Sequence, residues 1–154
     1  VALRHISQNF YSALPGFAFD IDNRGCLTVI HNNMSFKSLQ TNDVVNLISS
    51  DMFEWLGRHD NVINSGGIKI HPECDEALLA EVIVDRCYYI TSRLHDRWGE
   101  VPVLVLEGED NGCADAYLEA ASRLLPKYHV PKNAVWLREF ERTVSGKIKR
   151  IRVI

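Results

Sequence analysis

The chain has 154 residues, 46% of them apolar and 24% charged, with a formal net charge of −3. That is a soluble globular composition, far from the disordered and fibrous classes and long enough for one ordinary domain or two small ones. So small a net charge exerts no overall pull on nucleic acid or on an anionic membrane, and no apolar run approaches the roughly 18 residues of a membrane span.

The first third reads as strands. Leu14-Pro15-Gly16 is a turn, after which Phe17, Phe19 and Ile21 alternate at period two with smaller or polar residues. Asp22-Asn23-Arg24-Gly25 is a strong turn signal leading into a strand over 26–30. A second hairpin is expected from 44–48, through Ser49-Ser50-Asp51, into 52–56. Nothing in 1–56 has the pattern of a long amphipathic helix, so this part is expected to be β-rich.

The pattern changes after Gly57. Residues 61–64 and 68–70 are expected to pair around Ser65-Gly66-Gly67. Pro72 suits the first position of a helix, and Glu73, Asp75 and Glu76 place acid where the helix dipole favours it. With Leu78, Leu79, Val82 and Ile83 as the apolar stripe, the spacing predicts a helix over 72–85. Residues 87–91 and 101–106 are β-rich runs, 114–125 reads as a second helix stopped by Pro126, and 134–137 fits a last strand. The expected fold class is therefore α+β: a small module of short sheet and flanking helices over 61–154, preceded by a β-rich stretch over 1–56, with 57–60 as the junction.

Four cysteines (Cys26, Cys74, Cys87, Cys113) lie apart without a CxxC pair, as expected of a reduced, cytoplasmic protein, although four thiols alone would permit a disulfide framework. The histidines show no HxxxH or HxH spacing, so no metal site is expected. Between Pro126 and Arg152 stand eight basic residues (Lys127, Lys132, Arg138, Arg142, Lys147, Lys149, Arg150, Arg152) against Glu139 and Glu141. This excess reads either as a solvated basic surface or as a face that meets phosphates. The chain begins at Val1 and not at Met, as expected of an excerpt from a longer protein.

Three stretches, in one order, carry a resemblance: Thr41-Asn42-Asp43; Gly57-Arg58-His59-Asp60 with Ser65-Gly66-Gly67-Ile68-Lys69-Ile70-His71-Pro72-Glu73; and Thr143-Val144-Ser145-Gly146-Lys147-Ile148-Lys149-Arg150. Taken on residue type alone, Asp43 is an ordinary turn residue, Arg58 and Asp60 a strand-end salt bridge, and Lys69 a solvent-facing lysine beside a hairpin turn. Together they resemble the TGD, GRxD, sGxxixPxE and PxTxSGKIxR motifs of the adenylate-forming enzymes, the acyl-CoA synthetases and their relatives. A nucleotide P-loop is a poorer match, because Glu141 stands where its first glycine belongs and Ile148 follows the lysine.

The resemblance implies a site. Asp43 would hold the ribose hydroxyls of ATP and AMP, a task suited to a carboxylate that accepts two hydrogen bonds. Arg58 would contact the nucleotide, Asp60 would be the hinge on which the C-terminal domain turns, and Lys69 would meet nucleotide phosphate. Gly67 would line the coenzyme A tunnel. Lys147 would reach the substrate carboxylate and α-phosphate during adenylation, where a cation offsets two approaching anions. Substrates would be a small carboxylic acid, ATP with Mg2+, and coenzyme A, and the partner would be the N-terminal domain of the same protein. Two departures stand out: Asn42 replaces the family glycine, and Glu141 replaces a proline, which is expected to loosen the terminal loop. Asp96-Arg97-Trp98-Gly99-Glu100 resembles the family's DxxxGE element and is expected to be structural. The spelling of LPGFAFDIDNRGCL, TNDVV and GRHDNVINSGGIKI narrows the resemblance to the family's menaquinone-synthesis branch.

Overall fold

A computed structural model describes residues 1–31 and 37–153. It divides into two compact units, Val1–Asp60 and Asn61–Ile154.

The first unit is a sheet of β1 (Ala2–Leu3), β2 (Phe10–Ala13), β3 (Phe17–Ile21), β4 (Cys26–His31), β5 (Ser38–Ser49) and β6 (Met52–Arg58), in spatial order β1-β2-β6-β5-β4-β3. Every neighbouring pair is antiparallel. The alternation at Phe17 and Phe19 becomes burial on one face, where Phe19, Leu27, Val29, Val45 and Phe53 form the core. Phe19 meets the Phe53 ring edge-on at 4.8 Å, an arrangement aromatic quadrupoles favour. The turn into β4 is closed by Asp22, whose Oδ1 accepts the Arg24 and Cys26 N–H groups at 2.8 and 3.0 Å. β5 and β6 run longer than expected, so Gly57 and Arg58 are paired strand residues. A single 3-10 turn, His59–Asn61, follows.

The second unit contains β7 (Ile63–Ser65), β8 (Ile68–Ile70), α1 (Pro72–Leu79), β9 (Tyr88–His95), β10 (Gly99–Glu107), α2 (Ala114–Leu124) and β11 (Ala134–Leu137). β10 is central. It pairs with β9 along one edge, and with β7 near its start and β11, in parallel, near its end. Residues 101–106, VPVLVL, are all buried, and their alternation splits two cores. Leu104 and Leu106 join Ile63, Ile70, Leu79, Ile90 and Ala121 beneath the helices. Val103 and Val105 pack with Tyr89 and Phe140, against partly buried Ile148 and Val153. The helices therefore cover one face of the sheet and the segment after Phe140 covers the other.

The expected helix over 72–85 ends instead at Leu79. Val82-Ile83-Val84 is a β-branched run with poor helix propensity. The Tyr88 hydroxyl donates to the Glu76 carbonyl at 2.7 Å, an oxygen that also accepts the Ala80 N–H at 3.0 Å. The chain then folds back so that Ile83 is buried while Val84 is exposed.

Candidate functional site

In the first unit the structure brings Asp43, Arg58 and Asp60 together. Asp43 and Arg58 are direct cross-strand partners on β5 and β6. Arg58 stands 3.5 Å from a carboxylate oxygen of Asp43 and 3.5 Å from one of Asp60. Trp55 Nε1–H donates to Asp43 at 3.3 Å. The side chains of Arg58, Asp43 and Asp60 are 46%, 33% and 62% exposed, so these ion pairs contribute at most about 1 kcal/mol to stability. One arginine shared between two carboxylates at long range remains available to a ligand. Asn42 fills a definite place here: Arg24 donates to its Oδ1 at 3.1 Å, and its Nδ2 donates to Asp60 at 3.3 Å.

Gly67 and Lys69 share the β7–β8 hairpin of the second unit. The two-residue turn Gly66-Gly67 has φ of +58° and +85°, the left-handed region that such hairpins require and side-chain-bearing residues resist. A Cβ on Gly67 would meet nothing within 4 Å, whereas one on Gly66 would lie 2.8 Å from the Trp98 ring. The Trp98 carbonyl accepts the Gly66 N–H at 2.8 Å, and Glu100 accepts the Asn64 N–H at 2.8 Å. The DxxxGE-like stretch is thus the brace of this turn. Lys69 is exposed on β8.

Lys147 occupies another hairpin of the second unit. Arg142 and Ile148 form a bridge, Thr143 N–H donates to the Lys147 carbonyl at 2.8 Å, and Thr143 Oγ1 accepts the Lys147 N–H at 3.1 Å. Beneath this tip the chain is anchored three ways. Phe140 packs on Tyr89 with ring centres 5.0 Å apart. Arg142 pairs with Glu107 at 2.8 Å. Arg150 makes a two-pronged contact with Glu76 at 2.6 and 2.7 Å. Burial pushes the Glu76 carboxyl above its ordinary range, against the pull of Arg150. The loosening expected from Glu141 is not found. Its carbonyl accepts the Lys149 N–H at 2.8 Å and its carboxylate pairs with the Lys149 ammonium, closing the hairpin that the absent proline would have stiffened.

The basic excess after Pro126 now sorts itself. Arg138, Arg142, Lys149, Arg150 and Arg152 each pair with a glutamate. Among the described residues Lys127, Lys132 and Lys147 have no ion-pair partner, and neither has Lys69. Lys127 and Lys132 line a cleft of about 210 Å³ with Ser65, Trp98, Val101 and Tyr128. Lys127 and Lys132 thus share one wall system with the residue preceding the Gly66-Gly67 turn. Two unpaired ammonium groups beside exposed aromatic faces suit a ligand that carries phosphate and a planar ring. Sequence reading missed this cleft. The available signal was Lys127-Tyr128 and Lys132, an aromatic flanked by cations, but only the fold places it beside the hairpin. Among the described residues no group of three or more His, Cys, Asp or Glu side chains is placed to hold a metal ion, and no helix is long and apolar enough to cross a membrane.

Comparison finds that the relatives of this chain are adenylate-forming acid–CoA ligases. Among them, 2-succinylbenzoate–CoA ligase from Bacillus cereus (strain ATCC 10987 / NRS 248) is 31% identical over 113 residues, 73% of this chain and 23% of that protein. Indoleacetate–CoA ligase from Aromatoleum aromaticum (strain DSM 19018 / LMG 30748 / EbN1) is 35% identical over 96 residues, 61% of this chain and 19% of that protein. The solved structure of o-succinylbenzoate CoA synthetase from Bacillus subtilis, in complex with its acyl-adenylate intermediate, shares the fold with a TM-score of 0.74 at 22% identity, covering 88% of this chain and 33% of that one. No family model matches. The chain spans about a fifth to a quarter of the length of these curated relatives.

Proposed function

We propose that this chain is the C-terminal part of an AMP-forming acid–CoA ligase, in which acid and ATP give an acyl-adenylate and coenzyme A then displaces AMP. The observation that carries this reading is the sorting of cations. Five of the eight basic residues after Pro126 are bound internally, and Lys147 is held unpaired at the tip of an anchored hairpin. Lys147 supplies the cation for carboxylate attack on the α-phosphate. Asp43 and Arg58 hold the nucleotide, Lys69 meets phosphate, and Asp60 is the hinge on which residues 61–154 turn between half-reactions, a conformational step that assembles one site at a time. Gly67 borders the path of the pantetheine arm. The cleft of Lys127, Tyr128 and Lys132 takes the phosphate-and-adenine end of coenzyme A. Magnesium would enter with ATP, and the described residues offer no group of three or more His, Cys, Asp or Glu side chains to hold it.

The acid is o-succinylbenzoate in this reading, which would place the enzyme in menaquinone synthesis and the cytoplasm. The 35% identity to an indoleacetate–CoA ligase favours a second reading, another aromatic or fatty acid. An acid panel with coenzyme A or a carrier protein as acceptor separates these, and a non-catalytic interaction module would form no product with any of them. In the whole protein, Lys147→Ala should slow acyl-adenylate formation at least about 100-fold and largely spare thioester formation from supplied adenylate. Equal loss in both half-reactions would refute the role of Lys147. The 154-residue chain alone should show no acid-dependent ATP–pyrophosphate exchange, and exchange by it would refute the reading of an incomplete enzyme.

A further inference from the structure

We infer that His129, held by Asp75, is a positioning residue for the coenzyme A cleft: the pair fixes the loop 126–132 that presents Lys127, Tyr128 and Lys132. This rests on the reading of that cleft given above. The Nδ1 atom of His129 lies 3.0 and 3.1 Å from the two carboxylate oxygens of Asp75. The Asp75 side chain is only 5% exposed and that of His129 24%. Among the described residues the Asp75 carboxylate has no other hydrogen-bond partner.

A carboxylate is a costly group to place beneath a loop, and apolar side chains of similar volume commonly serve stability as well or better. What the pair supplies is direction. A carboxylate on one ring nitrogen fixes the imidazole's orientation, and with it the backbone at residue 129. The flanking anchors are backbone bonds: the His129 N–H donates to the Pro126 carbonyl at 2.8 Å, and the Lys132 N–H to the Pro102 carbonyl at 2.9 Å. The first of these closes a turn immediately after α2, with Lys127 and Tyr128 lining the cleft while His129 is directed onto α1. Without the side-chain tether, α1 loses its polar hold on the loop between those anchors. Each coenzyme A molecule would then have to order both lysines on arrival, at a cost in affinity.

The test is steady-state kinetics on the whole protein with His129→Ala and with the apolar double variant Asp75→Leu/His129→Leu, which keeps the space filled if the single change fails to fold. Lys127→Ala/Lys132→Ala tests the cleft itself. We expect KM for coenzyme A to rise about tenfold in the two His129 variants, with KM for ATP and the rate of adenylate formation unchanged and the circular dichroism spectrum intact. A parallel rise in KM for ATP would mark a structural role only and overturn the inference. An unchanged KM for coenzyme A in both His129 variants, with a raised one in the lysine variant, would overturn the positioning role and leave the cleft standing. An unchanged value in the lysine variant would remove the cleft, and the positioning role with it.

Discussion

Arg150→Ala isolates the anchor that matters most for the Lys147 hairpin. Arg150 is 23% exposed and spans Glu76, itself 16% exposed, with two bonds of 2.6 and 2.7 Å; it also donates to the Ile90 carbonyl at 3.3 Å and lies over the Tyr89 ring at 5.8 Å. Removing one member of a buried pair strands the other charge, which costs about 3–5 kcal/mol. The partial exposure of Arg150 puts the loss near about 3 kcal/mol, and for a unit of under 100 residues that lowers the melting midpoint by roughly 12 °C or more. The loss has a pH signature. The Glu76 carboxyl already sits above its ordinary range because it is buried, and Arg150 holds it down. Without Arg150 its folded pKa climbs further. Between the unfolded and folded values the native state keeps a proton that the unfolded chain releases, so stability falls as pH rises through that window. The gap between variant and wild type should therefore be wider at about pH 7 than at about pH 5. A Trp55→Phe background leaves Trp98 and Trp136, both in the second unit, as fluorescence reporters of melting. A deficit below about 1 kcal/mol, or one equal at both pH values, would refute a buried, load-carrying pair.

The two turn glycines should respond differently to alanine. Gly67→Ala meets open space and carries only the strain of φ +85°, about 1–2 kcal/mol, whereas Gly66→Ala must also displace Trp98 and should melt lower still; equal melting of the two would count against the Trp98 brace. Gly67→Leu in the whole protein should impair thioester formation more than adenylation, and unimpaired thioester formation would remove Gly67 from the coenzyme A path. Asn42→Gly releases one partner of Asp60 at an exposed site, so stability should change by less than about 1 kcal/mol while the ratio of the two half-reaction rates shifts; an unchanged ratio would mean that Asn42 does not restrain the proposed hinge.

What was legible in the sequence were features whose physics is local. Phe17 and Phe19 at period two, the Asp22 turn, the double glycine at 66–67 and the stop at Pro126 each act within a few residues, and each lies in the fold as read. The helix from Pro72 extends too far in the sequence reading because the apolar stripe of Leu78, Leu79, Val82 and Ile83 outweighs there the low helix propensity of Val82-Ile83-Val84, and Ile83 is buried after the helix has ended. Motif spelling located Asp43 and Arg58, and the fold added that they face each other across β5 and β6. The basic excess was visible as a count but not as a sorting. The partners of Arg142 and Arg150 lie 35 and 74 residues away, and no local pattern announces such distances. The cleft escaped for the same reason, since Ser65 and Lys132 come together only through β10.

The burial of β10 on both faces bears on how the chain is made. While a ribosome is still adding residues after β11, the helices can already cover Leu104 and Leu106, but Tyr89, Val103 and Val105 have only Val135 and Leu137 of β11 against them until Phe140, Ile148 and Val153 have emerged. For that interval the nascent unit offers an apolar strand face to chaperones and to its neighbours on the polysome. The segment bearing Lys147 thus closes the structure as it arrives. A synthesis error or premature stop in those residues would cost solubility as well as the role proposed for Lys147.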